Sequence, residues 1–161
     1  MSAITLCIIG GGQLGSMLAI AAKKLNVKTI IFSDDADAPA QNFCNQFISG
    51  NYDAKEKVSD FVNKVDIVTY EFENIPFETL NEINKLKPVL PKPSVNRLIQ
   101  HRFAEKDFIN KLNIRTTRYV SVEKKSDINA LKDFLPGILK TTTLGYDGKG
   151  QHPINSTKEL D

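Results

Sequence analysis

Ile4-Thr5-Leu6-Cys7-Ile8-Ile9-Gly10-Gly11-Gly12-Gln13-Leu14-Gly15 is the stretch that decides the fold. A continuous apolar run, Ile4–Ile9, stops at three glycines, which is the pattern of a strand buried on both faces of a parallel sheet. Gln13–Leu25 follows with apolar residues at Leu14, Leu18, Ala21, Ala22 and Leu25, a helical stripe. Strand, glycine turn and helix together make the first half of a βαβ unit. The pattern then repeats. Lys28–Phe32 is β-rich and ends in the polar segment Ser33–Ala38, and a helix is predicted over Ala54–Val65 through Val58, Phe61, Val62 and Val65. Asp66–Tyr70 is a further strand, followed by Glu71-Phe72-Glu73-Asn74-Ile75-Pro76. Pro76–Leu86 is helical, with Phe77, Leu80, Ile83 and Leu86 on one face. Strands alternating with helices at this spacing predict an α/β fold, a Rossmann-like doubly wound parallel sheet.

The rhythm changes at Pro88–Pro93, where three prolines fall in six residues, so a domain boundary is placed there, with domains over 1–98 and 99–161. Beyond it, Arg102–Leu112 is amphipathic through Phe103, Phe108, Ile109 and Leu112. Arg118–Val122 reads as a strand, Ser126–Phe134 as a helix capped by Ser126, and Gly137–Thr141 as a strand. Gln151–Ile154 is its returning partner. Ser156-Thr157-Lys158-Glu159 is a capping-box pattern announcing a helix just before Asp161, which suggests truncation.

Composition narrows the function classes. With 41% hydrophobic and 25% charged residues the chain is globular, and Lys plus Arg exceed Asp plus Glu only by 21 to 19. That balance shows no nucleic-acid footprint and no basic membrane face. Ile4–Ile9 is too short to span a bilayer. Cys7 and Cys44 form no metal spacing, and Cys7, in an apolar strand, reads as a reduced, buried thiol, so a cytoplasmic protein is expected.

Two glycine-rich segments carry the chemistry. Gly10-x-Gly12-x-x-Gly15 between strand and helix fits a dinucleotide turn, another anion site, or a packing requirement alone. Asp34 and Asp35 lie past the second strand, about where such folds place a ribose-binding carboxylate. Glu71 and Glu73 lie at the carboxyl end of the Asp66–Tyr70 strand, where alternation would put both on one face, suited to an amine or to ribose hydroxyls. Leu139-Lys140-Thr141-Thr142-Thr143-Leu144-Gly145-Tyr146-Asp147-Gly148-Lys149-Gly150-Gln151 has three glycines and two lysines. Main-chain N–H groups in such a turn form an anion nest and the lysines add charge, which suits a polyphosphate. Asp147-Gly148 also marks a hairpin tip, and both descriptions can hold. Lys23-Lys24 and Lys124-Lys125 read as solvated faces. His101 and His152 have no partner visible in the sequence.

Gly10–Gly15, Asp34–Ala40, Thr69–Pro76, His101–Lys106 and Leu139–Gln151, in this order, resemble the 5-(carboxyamino)imidazole ribonucleotide synthases of the ATP-grasp superfamily, over nearly the whole chain. The resemblance implies a pre-ATP-grasp domain followed by the first lobe of an ATP-grasp fold. It implies an ADP-forming carbon–nitrogen ligase that uses ATP and bicarbonate to carboxylate 5-aminoimidazole ribonucleotide through carboxyphosphate, in purine biosynthesis. It implies that Arg102 and Lys140 contact ATP and that Gly145, Tyr146, Asp147, Gly148, Lys149, Gly150 and Gln151 cover its phosphates. By analogy with the related glycinamide ribonucleotide transformylase, Gln13, Leu14, Glu71 and Glu73 would face the ribonucleotide. Mg2+ is implied, with its ligands and the catalytic groups expected beyond Asp161, so that this segment alone would be nearly inactive; a homodimer is implied for the full length. Two positions depart from the family pattern: His101 stands where Asp is common, and Leu144 where Gly is common. The alternatives are an ATP-grasp ligase of another acceptor, formate- or biotin-linked, and a nicotinamide-dinucleotide-binding module.

Overall fold

The computed structural model describes residues 4–145 and 148–160. The chain divides into two compact units, Met1–Arg97 and Leu98–Asp161. In the first, β1 (Thr5–Ile9), β2 (Lys28–Ser33), β3 (Gln46–Ser49) and β4 (Ile67–Tyr70) form a sheet of order β3-β2-β1-β4. Every pairing is parallel: Thr5 stands opposite Lys28, Leu6 opposite Ile67 and Ile30 opposite Gln46. A parallel bridge between Val68 and Val89 continues the ladder past β4. The connections run through α1 (Gln13–Lys24), α2 (Lys55–Val62) and α3 (Phe77–Leu86). This is the parallel α/β architecture the alternating pattern predicts.

Side chains alternate across the sheet with period two, so each strand feeds two cores. Cys7, Ile9, Ile30, Phe32 and Val68 pack with Phe61, Val62, Leu80 and Ile83 from α2 and α3. Ile8 and Ile31 face the opposite way, onto Ala19 of α1 and Ala40. Burial pushes the Cys7 thiol far above the usual thiol range, which keeps it unreactive.

Of the stripe expected on α1 only Ala22 packs inward; its leucines do not. Gly15, Ser16, Ala19 and Ala22 are buried, whereas Leu14, Leu18 and Leu25 are 56%, 40% and 76% exposed. Size decides this, not hydrophobicity. A Cβ on Gly15 would lie 2.6 Å from the Gly10 carbonyl oxygen, so the helix approaches the sheet too closely for anything but small residues on that side. Asp66 is also not part of its strand; its Oδ2 accepts the Thr5 N–H at 2.8 Å and ties the start of β4 to β1. Two elements have no counterpart in the sequence reading. β3 is a four-residue edge strand preceded by a 3-10 turn, Pro39–Asn42, and α4 (Pro93–Ile99) starts on a proline of the Pro88–Pro93 segment, where proline is favoured because no N–H is needed.

In the second unit α5 (Arg102–Lys111) is followed by β5 (Gly137–Lys140) and β6 (Gln151–Ile154), an antiparallel hairpin with Lys140 opposite Gln151. Arg118–Val122 is not a strand. Its alternation is present, but no segment among the described residues pairs with it. The predicted helix at Ser126 is a 3-10 helix, Lys125–Phe134, and Ser126 is not its cap. Lys124 is the N-cap, and Asp127 reaches back to it, its Oδ2 accepting the N–H groups of Glu123 and Lys124 at 3.0 and 3.1 Å. Ser156–Glu159 leads into a 3-10 turn, Thr157–Leu160, without the reciprocal bonds of a capping box: Glu159 Oε2 accepts the Asn155 N–H at 3.3 Å and its Oε1 the Ser156 hydroxyl at 3.2 Å.

Candidate functional site

In the first unit the sheet order reverses at β1, since β2 and β4 lie on its two sides. Open α/β sheets bind ligands outside the carboxyl ends of the strands at such a point. Gly10–Gly12 follow β1 there and Glu71 follows β4. Gly10 sits at φ +110°, which only glycine adopts without strain, and a Cβ on Gly11 would come within 2.6 Å of Ala38 Cβ. The turn is thus narrow, and Gln13 and Leu14 stand exposed in the first turn of α1 beside it.

Glu71 folds back into this turn. Its Oε1 accepts the Gly12 N–H at 3.0 Å, and Cβ atoms on Gly10 and Gly12 would lie 2.8 and 3.3 Å from that oxygen. Glu73 does not share a face with it by strand alternation, because the strand ends at Tyr70 and Glu73 begins a turn. The Glu73 carbonyl instead accepts the Asn96 Nδ2–H at 2.9 Å. Asn96 is fully buried, and its Oδ1 and the Tyr70 hydroxyl are buried without a hydrogen-bond partner among the described residues. Sequence reading missed Asn96; the available signal was a polar residue one helical turn after Pro93 on the inner side of α4.

Neither aspartate after β2 is free. Asp35 Oδ1 accepts the Asp37 N–H at 2.9 Å and closes a local turn. Asp34 lies against the Tyr52 hydroxyl; burial first, then the Asp34 charge and hydrogen bond, push Tyr52 up to about 12. Tyr52 in turn stands edge-on to Phe32 at 5.6 Å and near Phe72 at 6.2 Å, which fastens the Glu71–Glu73 segment.

The second unit holds a cleft of about 630 Å3 whose lining includes Arg102, Lys106, Tyr119, Lys140, Thr141 and Thr142. Arg102 opens α5 and anchors the glycine loop twice: its N–H donates to the Thr142 carbonyl at 2.8 Å and its guanidinium to the Gly145 carbonyl at 3.0 Å. Its Nε is buried with no partner among the described residues. A desolvated guanidinium N–H without an acceptor is costly, and a phosphate oxygen is the acceptor that suits it. Lys106 donates to the Thr117 carbonyl at 3.3 Å and lies 5.2 Å over the Tyr119 ring. The Tyr119 hydroxyl donates to Asp107 at 2.6 Å, and that bond raises the Tyr119 pKa, with desolvation and the Asp107 charge adding to it. Lys106, Tyr119, Thr141 and Thr142 were assigned no role from sequence, although Lys106 closes the His101–Lys106 motif.

The glycine loop is a hairpin, as Asp-Gly suggested. Gly148 and Gly150 have φ of +81° and +65°. The Thr141 N–H donates to the Gly150 carbonyl at 2.8 Å, and a Cβ on Gly150 would lie 2.4 Å from Thr141 Oγ1. Lys149 lies in the turn and Gln151 starts β6; Tyr146 and Asp147 lie outside the described residues. Lys140 is exposed at the end of β5. Both departures at 101 and 144 have physical readings. His101 is the N-cap of α5, its Nδ1 accepting the Ala104 N–H at 3.3 Å, which is the work a carboxylate does there. Leu144 has φ +60°, a left-handed conformation that glycine adopts at no cost and leucine does not.

Arg102 and Lys140 thus line one cleft with Thr141 and Thr142, and Arg102 holds the glycine loop at Gly145. ATP fits these residues. Among the described residues no group of three or more His, Cys, Asp or Glu could hold a metal ion.

Comparison with known proteins agrees with this arrangement. Residues 3–100 match the ribonucleotide synthetase preATP-grasp domain and residues 107–161 the ATP-grasp domain. The N5-carboxyaminoimidazole ribonucleotide synthase of Brucella melitensis is 40% identical over 157 residues, 96% of this chain and 43% of that one. The bifunctional purine synthesis protein purC/E of Dictyostelium discoideum is 40% identical over 98% of this chain and 16% of its own. The structure of N5-carboxyaminoimidazole synthetase from Staphylococcus aureus complexed with ADP superposes with TM-score 0.91 at 34% identity, over 98% of this chain and 43% of that one. The chain therefore spans less than half the length of these relatives. Since the preATP-grasp match covers more than half of the 161 residues and the ATP-grasp match follows it directly, the chain belongs to the ribonucleotide synthetase preATP-grasp family, continued by an ATP-grasp domain.

Proposed function

We propose that the chain is the amino-terminal part of an ATP-dependent, ADP-forming ligase that carboxylates 5-aminoimidazole ribonucleotide with bicarbonate, through carboxyphosphate, in purine biosynthesis. The observation that carries the reading is Arg102, which holds the glycine loop by Gly145 while its own Nε is buried without an acceptor among the described residues. The names of the Brucella and Staphylococcus relatives support the substrate, and the ADP complex supports the nucleotide.

In this reading ATP supplies a phosphoryl group that activates bicarbonate toward the substrate amine. The residues of this chain act by position and charge. Arg102 and Lys140 hold the polyphosphate, and Gly145, Tyr146, Asp147, Gly148, Lys149, Gly150 and Gln151 cover it. Main-chain N–H groups of the loop offset charge as the phosphoryl group moves, and the closed hairpin excludes water. Gln13, Leu14, Glu71 and Glu73 face the ribonucleotide at the sheet switch point. Mg2+ would pair with the phosphates, but the described residues offer it no ligand set, so no step is assigned to it. A homodimeric whole enzyme and a cytoplasmic location belong to the same reading; among the described residues no helix is long and apolar enough to cross a membrane.

The test joins this chain to the rest of its reading frame and measures ADP release with 5-aminoimidazole ribonucleotide, ATP and either bicarbonate or formate. Release that requires both the ribonucleotide and bicarbonate is expected. Release supported by formate in place of bicarbonate would assign another acid to the same fold.

A further inference from the structure

The turn Gly10–Gly15 has the sequence of a phosphate cradle, yet its hollow is filled by the protein's own carboxylate. Glu71 Oε1 sits on the Gly12 N–H at 3.0 Å, at the N-terminus of α1, where a ligand pyrophosphate would otherwise receive its hydrogen bonds. The surrounding space is shaped to that group. Added Cβ atoms would meet the Glu71 carboxylate at 2.8 Å from Gly10, 3.3 Å from Gly12 and 3.5 Å from Gly15. Gly10 and, less tightly, Gly12 therefore leave the room that the Glu71 carboxylate occupies, whereas Gly15 is required by the Gly10 carbonyl. A second contact point of a dinucleotide is also engaged, because Asp34 after β2 is taken up by the Tyr52 hydroxyl.

We propose that Glu71 is a built-in anion that closes this turn to phosphate, so that the first unit rejects dinucleotides and recognises its ligand through hydrogen-bond donors. The second carboxylate oxygen, Oε2, has no partner among the described residues and is the group left to accept a ligand N–H or O–H. A phosphate on the same ligand must then be held away from the Gly12 amide. Placing a second anion at that amide would set two like charges a few ångströms apart over one N–H, which excludes it at ordinary ligand concentrations. The inference does not depend on ATP use or on carboxylation, and its failure would leave the proposed reaction standing.

The test uses the isotope-labelled chain and follows the amide resonances of Gly10–Gly15 during titration with inorganic pyrophosphate and with NAD. Reading those amides separates this turn from the glycine loop of the second unit, which pyrophosphate can also occupy. In the wild type they should not respond saturably to either compound. In Glu71→Ala the hollow is empty, and the Gly12 amide should show saturable pyrophosphate binding at least tenfold tighter than wild type. Should that variant fail to fold, Glu71→Ser carries the same expectation with a small polar side chain. A saturable wild-type response at the turn, or no gain in the folded variant, would overturn the proposal.

Discussion

Gly150→Ala tests the loop geometry on which the nucleotide site depends. Two costs follow from the structure. The residue is held at φ +65°, where an L side chain is disfavoured by about 1–2 kcal/mol. The new Cβ would also stand 2.4 Å from Thr141 Oγ1 and 3.3 Å from its Cγ2, forcing a β-branched side chain off its rotamer at about 0.5–1.5 kcal/mol. Against these, alanine restricts the unfolded chain and returns about 0.4–1 kcal/mol. The net loss is about 1–2.5 kcal/mol of local stability. The assay is native-state exchange of the position-141 amide, which donates to the Gly150 carbonyl. It should exchange roughly five- to seventyfold faster, since about 1.4 kcal/mol is tenfold. Repeating the substitution in Thr141→Ala removes the clash and leaves the dihedral cost, so the penalty should shrink by about 0.5–1.5 kcal/mol. An unchanged penalty would refute the Thr141 contact, and no penalty in either background would refute the left-handed turn.

Lys140→Met, at an exposed position, should leave the thermal midpoint within a degree or two while lowering ATP affinity ten- to a hundredfold, about 1.5–3 kcal/mol for a charge-assisted contact; calorimetry and a melting curve together decide it, and a destabilised protein with unchanged affinity would remove Lys140 from the site. His101→Asp should raise the stability of α5 by about 0.5–1 kcal/mol in thermal unfolding, since a carboxylate caps the helix and meets its positive end; a loss of stability would mean that the imidazole does more than cap. Stability of the first unit should fall as pH rises from about 10 toward about 12. There the unfolded chain has released the tyrosine proton while folded Tyr52 keeps it, so the unfolded state binds fewer protons and the slope is negative. Denaturant unfolding across that range should show the slope in wild type and a shallower one in Tyr52→Phe; parallel curves would reject the raised pKa.

The strands β1 and β2 were legible because both their faces are buried, which leaves continuous apolar runs, and β4 because Ile67–Tyr70 is β-branched and aromatic. β3 was not, since Gln46–Ser49 is a short edge strand whose register comes from β2, not from its own pattern. On α1 the leucines misled: the sheet selects small residues by distance, and the spacing of Gly15, Ala19 and Ala22 carried that information more faithfully than hydrophobicity. Arg118–Val122 alternates like a strand, but alternation describes a surface and not a partner. At the site, the glycines and charges were visible as chemistry, while their engagements were not. Glu71 on Gly12, Asp34 on Tyr52 and Arg102 on Gly145 join residues 59, 18 and 43 positions apart, and only the fold brings them together.

Activation of bicarbonate by phosphoryl transfer is the central step of the proposed reaction. With the chain joined to the rest of its reading frame, bicarbonate labelled with oxygen-18 is turned over in the presence of ATP and 5-aminoimidazole ribonucleotide, and the released phosphate is analysed by mass. Attack of a bicarbonate oxygen on the γ-phosphoryl group leaves that oxygen on phosphorus, so the account predicts one labelled oxygen in each phosphate formed. Phosphate carrying no label while the ribonucleotide is carboxylated would contradict it.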